Sequence, residues 1–268
     1  MQPMVKYHEE KRFPTLVAHR GASFYAPENT MPSFELAWKQ GATLVEGDFW
    51  LTADDHIVCI HDPTTSRTAP GSPEIDVCNS RYDEFCGYDV GSWKAEHYNG
   101  THIPLLEEIL AGMPEGSGVY IEIKQDTDRI IDVLQEVIAK SHVDLSQITL
   151  ISFNANIVQR AKKLVPAMRA FLLFDPEGKE ATKAARLSLS ELITIARDVG
   201  ADGLDLGKSS KIDNDYASQI LSAGLELHVW TVNTLEDALR YAELGFSTLT
   251  TDRPADLCRE IEEHFQNS

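Results

Sequence analysis

Apolar residues in this chain gather in short β-rich runs, with helically spaced stretches between most of them, and the alternation continues nearly to the C-terminus. The runs predict strands at 16–18, 43–51, 119–124, 148–153, 169–174, 203–206, 226–232 and 248–250. Between them, Phe34, Ala37 and Trp38, or Ile131, Leu134, Val137 and Ile138, recur at the period of an amphipathic helix. Repeated strand-then-helix units with short connections argue for parallel strands, and eight of them in about 250 residues is the size of an α/β (β/α)8 TIM barrel. The whole chain, 1–268, then reads as one barrel domain. A doubly wound open sheet is the competing architecture; it would be favoured by a G-x-G-x-x-G turn after the first strand, which is absent.

One interval breaks the rhythm. After the second strand comes the alternating run "IVCIHD", and then 62–103, rich in Pro, Gly, Ser, Thr and aromatics without a helical period. Irregular stretches of that length are usually functional or belong to an inserted unit. The expectation is a small insertion on the C-terminal face of the barrel.

Composition narrows the function classes. With 43% hydrophobic residues the chain can build its core without staples, and its formal charge of -18 argues against nucleic acid or an anionic membrane as a partner. An anionic substrate would need positive charge supplied locally. Four cysteines show neither a C-x-x-C pair nor zinc-ligand spacing, which suits reduced thiols in the cytoplasm. The opening "MQPMVKYHEEKRF" lacks the apolar centre of a signal segment, and no stretch approaches the ~20 apolar residues of a membrane span, so no stable membrane association is expected.

In a (β/α)8 barrel the C-terminal strand ends converge on the active site, so polar residues there are the candidates. His19 and Arg20 end the first strand, and His19 shares a face with Val17. Taken alone, a strand-end histidine is more often a hydrogen-bonded structural group. Glu46 and Asp48, two apart in the second strand, project to one side, and two such carboxylates repel unless a proton or cation lies between them. They could instead pair with lysines or arginines at the barrel mouth. The third strand adds Glu122 and Lys124 in the same spacing, and His61 closes "IVCIHD". Oxygen ligands in this arrangement suit a hard divalent ion, Mg²⁺ or Ca²⁺. Arg20 and Lys124 could hold the oxygens of a phosphate ester, and two imidazoles suit a displacement that needs one base and one acid.

The stretch "HRGASFYAPENTMPSFELAWKQGATLVEGDFWLTADDHIVCIHD" resembles the signature of the glycerophosphodiester phosphodiesterase family in its H-R-G, E-N-T, E-x-D, T-x-D and H-D. The resemblance continues through Arg67-Thr68, "IPLLEEIL", "IEIK", Ser152-Phe153, "VWTVN" and "TTDRP". It implies a TIM barrel with an insertion after the second strand. It also implies that Glu46, Asp48 and Glu122 bind the divalent ion, that His19 and His61 are the general base and acid, and that Arg20 and Lys124 hold phosphate. Trp230 matches the family's apolar wall beside the glycerol, though a tryptophan there is about as often simple packing. The implied enzyme is a phosphoric diester hydrolase that converts a small-molecule glycerophosphodiester to sn-glycerol 3-phosphate and an alcohol. A cyclic phosphate formed by the glycerol 2-hydroxyl would be the intermediate.

Two alternatives stay open: a sphingomyelinase D-like phospholipase with a similar barrel and paired histidines, and a noncatalytic glycerophosphodiester-binding protein. The acidic charge and "WTVN" count against the first, and the full complement of histidines and carboxylates against the second. The chain departs from the family at Asp55, where glycine is usual after T-x-D, so a different tight turn is expected there. His56 reads as a surface residue, and His228, on the face of Trp230 and Val232, as a structural one.

Overall fold

The computed structural model describes residues 6–7, 11–178 and 187–267. Most of the opening segment read above for a signal therefore lies outside the described residues. Eight parallel strands close into a ring: β1 (Thr15–Ala18), β2 (Leu44–Leu51), β3 (Gly118–Ile123), β4 (Ile148–Ser152), β5 (Arg169–Phe174), β6 (Gly203–Gly207), β7 (Glu226–Trp230) and β8 (Thr248–Thr251). Each strand pairs with the next in sequence, and β8 returns to β1 with Thr251 opposite Ala18. The (β/α)8 barrel expected from the pattern is the fold.

Among the described residues, eight helices follow the strands: α1 (Met31–Lys39), α2 (Leu106–Gly112), α3 (Asp128–Lys140), α4 (Ala155–Leu164), α5 (Leu189–Asp198), α6 (Asn214–Ser222), α7 (Leu235–Glu243) and α8 (Pro254–Gln266). Their apolar stripes, such as Ile130, Ile131, Leu134 and Ile138 of α3, pack onto the outward strand residues in one large core. Inside the ring, Val17, Tyr120, Ile151, Phe171 and Leu173 form a separate apolar cluster. It fills the barrel below the polar strand ends, as the layered interior of this fold requires.

Ile57–Cys59 runs antiparallel to β2, with Cys59 opposite Phe49. The chain from there to α2 has only single 3₁₀ turns, at Val77–Asn79, Tyr82–Glu84 and Glu96–Tyr98. It carries its own small core of Val58, Ile60, Ala69, Val77, Phe85, Val90 and Ile103.

The exit from β1 is tightly specified. Arg20 and Gly21 both take left-handed backbone, with φ of 53° and 80°. A Cβ on Gly21 would lie 2.6 Å from the carbonyl carbon of Ser33 at the start of α1, so no side chain fits. Thr30 then caps α1, its side chain accepting from Ser33 N, with Pro32 in the first turn. Gly21→Ala is expected to cost about 2–5 kcal/mol from strain and overpacking. Thermal unfolding checks this: a Tm within a degree or two of the parent would mean the turn tolerates a side chain.

Candidate active site

The strand ends bring the sequence-derived candidates together: all but Asp48, which lies just behind, line one cavity of about 180 Å³, namely His19, Arg20, Glu46, His61, Glu122, Lys124 and Trp230. Glu46 and Asp48 rise from β2, and the β2–β3 register sets Asp48 directly opposite Glu122. The three carboxylates each place an oxygen within 4.8 Å of the others, a cluster able to hold a metal ion. Lys124 follows β3 and pairs with both Glu122 (2.7 Å) and Asp48 (3.2 Å). Arg20 reaches Asp48 at 3.1 Å with its guanidinium, while its backbone N–H donates to Glu46 at 2.9 Å. The left-handed turn at Arg20 is what aims main chain and side chain of one residue at two carboxylates.

The charges are not balanced evenly. Burial would raise the Asp48 carboxyl, but Arg20, Lys124 and His61, with a hydrogen bond from Asn29, hold it well below the usual carboxylate range. Glu46 is pushed well above that range by burial and by the charges of Asp48 and Glu122. Burial lifts Glu122 to about 7, although Lys124 pulls the other way. One Glu46 oxygen, Oε1, is buried without any hydrogen-bond partner. The cluster thus has an uncompensated side made of hard oxygen donors, which fits a divalent cation. The ion-pair alternative weighed for the E-x-D pair describes Asp48 but leaves Glu46 unanswered.

Each imidazole is held by a carboxylate on its Nδ1. His19 meets Asp252 at 2.6 Å, and its Nε2 lies 4.0 Å from Glu46 Oε2. His61 meets Asp62 at 2.7 Å. Nε2 is thereby left as the proton-handling atom of both rings. Burial lowers His61, with Asp48 and Asp62 opposing. On the other side the cavity is apolar: Ile151, Phe153, Leu173 and Trp230 line it, and the Phe153 and Trp230 rings meet edge to face at 5.8 Å.

A model of the glycerophosphoryl diester phosphodiesterase family matches residues 19–256. The chain belongs to this family. A glycerophosphodiester phosphodiesterase of Caldanaerobacter subterraneus is 30% identical over 250 residues, covering 90% of this chain and 95% of that protein. One from Bacillus subtilis is 29% identical over 264 residues, covering 93% and 86%. A phosphodiesterase of Oleispira antarctica, solved in complex with the product sn-glycerol-3-phosphate, is 27% identical with a TM-score of 0.81 and covers 93% of this chain and 97% of its own.

Within this glycerophosphoryl diester phosphodiesterase, several residues whose motifs the resemblance quoted without giving them a role belong to the site. In E-N-T, Glu28 binds Arg20 (2.8 Å) and both outer nitrogens of Arg67 (2.9 and 2.8 Å). Asn29 grips Asp48 twice, donating to its side chain at 2.8 Å and accepting from its backbone N–H at 3.1 Å. Asp252 is held in turn by Asn233 Nδ2 at 2.6 Å. Arg67 Nε also donates to Asp62 at 2.6 Å, so the residue that orients His61 is itself oriented.

After T-x-D, where glycine is usual, Asp55 takes the left-handed position at φ 63°, which aspartate tolerates, and Arg129 clamps its carboxylate at 2.8 Å. His56 pairs with Asp54 at 3.4 Å and stacks on Tyr82. His228 does not share a face with Val232. The strand ends at Trp230, and Val232 packs into the outer core among the helices. His228 stacks on Phe171 at 3.8 Å inside the barrel, where burial lowers it to about 3 and keeps it neutral.

Proposed function

We propose that this glycerophosphodiester phosphodiesterase hydrolyses small glycerophosphodiesters, such as glycerophosphocholine or glycerophosphoethanolamine, to sn-glycerol 3-phosphate and the free alcohol. One observation carries the reading: a three-carboxylate cluster, two aspartate-held imidazoles and two cations meet in a single cavity with an apolar wall. The product-bound relative, similar over nearly its whole length, supports the choice of substrate class.

Glu46, Asp48 and Glu122 are the residues that would hold Mg²⁺ or Ca²⁺. Bound there, the ion would neutralise a nonbridging phosphate oxygen and favour attack at phosphorus. Arg20 and Lys124 hold the remaining phosphate charge by charge-assisted hydrogen bonds. One imidazole takes the proton of the glycerol 2-hydroxyl as its oxygen bonds to phosphorus. The other protonates the departing alcohol oxygen as that P–O bond breaks, leaving a five-membered cyclic phosphate. Water then opens the ring while His19 and His61 exchange roles, and both imidazoles end as they began. Asp252 and Asp62 fix the ring that each transfer needs. Trp230 covers the glycerol carbons and keeps water from that side.

The segment 62–103 forms a small insertion at the mouth and shapes the choice of alcohol. The four cysteines stand free, which suits a reducing cytoplasm. No helix among the described residues is long and apolar enough to cross a membrane.

Incubation of the purified protein with glycerophosphocholine and Mg²⁺ or Ca²⁺ is expected to release choline and sn-glycerol 3-phosphate in equal amounts. Binding without turnover under every metal tried would reduce the protein to a sensor. Turnover confined to sphingomyelin vesicles would instead make it a phospholipase.

A further inference from the structure

The charged half of the cavity is answered by the residues above, but one more ionisable side chain lines the cavity. Asp205, in the middle of β6, is 1% exposed and lines the same cavity. In the eight-strand ring β6 lies opposite β2, so Asp205 faces the carboxylate cluster from the far wall. In register its neighbours are Leu173 on β5 and His228 on β7, and Trp230 donates its indole N–H to the Asp205 backbone carbonyl at 3.4 Å. Its side-chain Oδ1 is buried without a hydrogen-bond partner. It also stands outside the trio whose oxygens converge within 4.8 Å.

A buried carboxyl oxygen without a partner is unfavourable for folding and calls for a ligand that completes it. The phosphate is not that ligand, because Arg20 and Lys124 receive it at the charged wall, beside the carboxylate cluster and across the barrel from Asp205. What remains of a glycerophosphodiester on the apolar side is the glycerol, whose carbons suit Trp230 and Phe153 and whose hydroxyls need partners. Burial, with the charge of Glu122 added, holds the Asp205 carboxyl well above the usual carboxylate range. In its neutral form it both donates and accepts, as an alcohol does.

We propose that Asp205 recognises the free terminal hydroxyl of the glycerol moiety and makes the enzyme selective for unacylated glycerol esters. This rests on the reading of the cavity as a glycerophosphodiester site. The 2-hydroxyl is left to attack phosphorus while the terminal hydroxyl anchors the chain across the barrel. Acylation of the terminal hydroxyl removes its proton and brings a bulky chain against Leu173 and Trp230, so lysophospholipids are poor substrates.

The test compares glycerophosphocholine with 2-hydroxypropyl phosphocholine, which keeps the nucleophilic hydroxyl and lacks only the terminal one. The wild-type enzyme is expected to favour the first by about 10²-fold in kcat/KM, since a buried polar group built for a hydroxyl is left unpaired by the analogue. Equal rates on the two would overturn the assignment without any variant. Cleavage of neither would instead sink the underlying function.

In Asp205→Leu the preference should fall to within about threefold, through loss on the glycerol substrate alone. Metal affinity should be unchanged and the Tm equal to the parent's or higher, because an orphaned carboxyl has been removed. An equal loss on both substrates, or a weakened metal site, would show that Asp205 supports the catalytic cluster and not the glycerol. Asp205→Asn, nearly the same shape with a donor and an acceptor, should retain most of the preference, and its loss there would also count against the proposal. As a binding check, sn-glycerol 3-phosphate should raise the wild-type Tm more than 2-hydroxypropyl phosphate does, and the two should be alike on Asp205→Leu.

Discussion

His19→Ala is expected to lower kcat on glycerophosphocholine by about 10²- to 10⁴-fold, the range for losing a positioned acid or base, while metal affinity and Tm stay near those of the parent. His61→Ala should behave alike, because each ring lines the cavity and has an aspartate on Nδ1. The Asp252→Asn variant separates chemistry from positioning. Burial would raise Asp252, but His19, Asn233 and Ser23 hold it down to about 2, so it stays ionised at any pH where the enzyme is folded and active. Its neutral amide can either donate to or accept from Nδ1, and in the first case it selects the wrong tautomer. The loss should therefore appear in kcat with KM little changed, and glutamate should restore part of it where asparagine does not. A near-normal rate in His19→Ala would remove that residue from the proton transfers, and a matching loss of metal affinity would reassign it to the cluster beside Glu46.

How much of this was legible in the chain depended on distance along it. The eight strands could be read because buried parallel strands are short, apolar and β-branched, and each boundary fell within a residue or two. The carboxylates were legible for a related reason: residues two apart in a strand share a face, so Glu46 with Asp48 and Glu122 with Lys124 announce their direction. Asp252 carried no such signal. It lies 233 positions from His19 and beyond the last strand, and only closure of β8 onto β1 brings the two together. Asn29 and Glu28 sit in a loop whose path is set by left-handed residues at Arg20 and Asn29, conformations that a non-glycine residue does not advertise. Asp205 was hidden for the opposite reason. "GLDLG" reads as a plain interior strand, and the missing partner that makes its carboxyl notable is a property of packing alone.

Removing divalent ions with EDTA should abolish turnover, and adding Mg²⁺ or Ca²⁺ should restore it, because Glu46, Asp48 and Glu122 lie too close to serve as anything but a cation site or a strained cluster. Glu46→Gln distinguishes these within one protein. In the metal-free parent, ionised Glu46 is destabilising: burial, Asp48 and Glu122 raise its folded-state value well above that of the unfolded chain. Such a group costs stability where the unfolded chain is ionised and the folded one resists, so the cost is present at neutral pH and vanishes as pH falls below the unfolded value of about 4.5. Without metal, Glu46→Gln should therefore have the higher Tm at pH 7, and the gain should disappear near pH 4. With metal the order should reverse, since ligand binding stabilises in proportion to the logarithm of its concentration over Kd, and the variant has lost a charged oxygen. Its affinity should fall by at least about 10- to 100-fold, the loss already seen when groups that merely support a ligand are removed. An unchanged metal affinity would place the Glu46 carboxylate off the ion, and its role would then be confined to holding Arg20 through the backbone N–H.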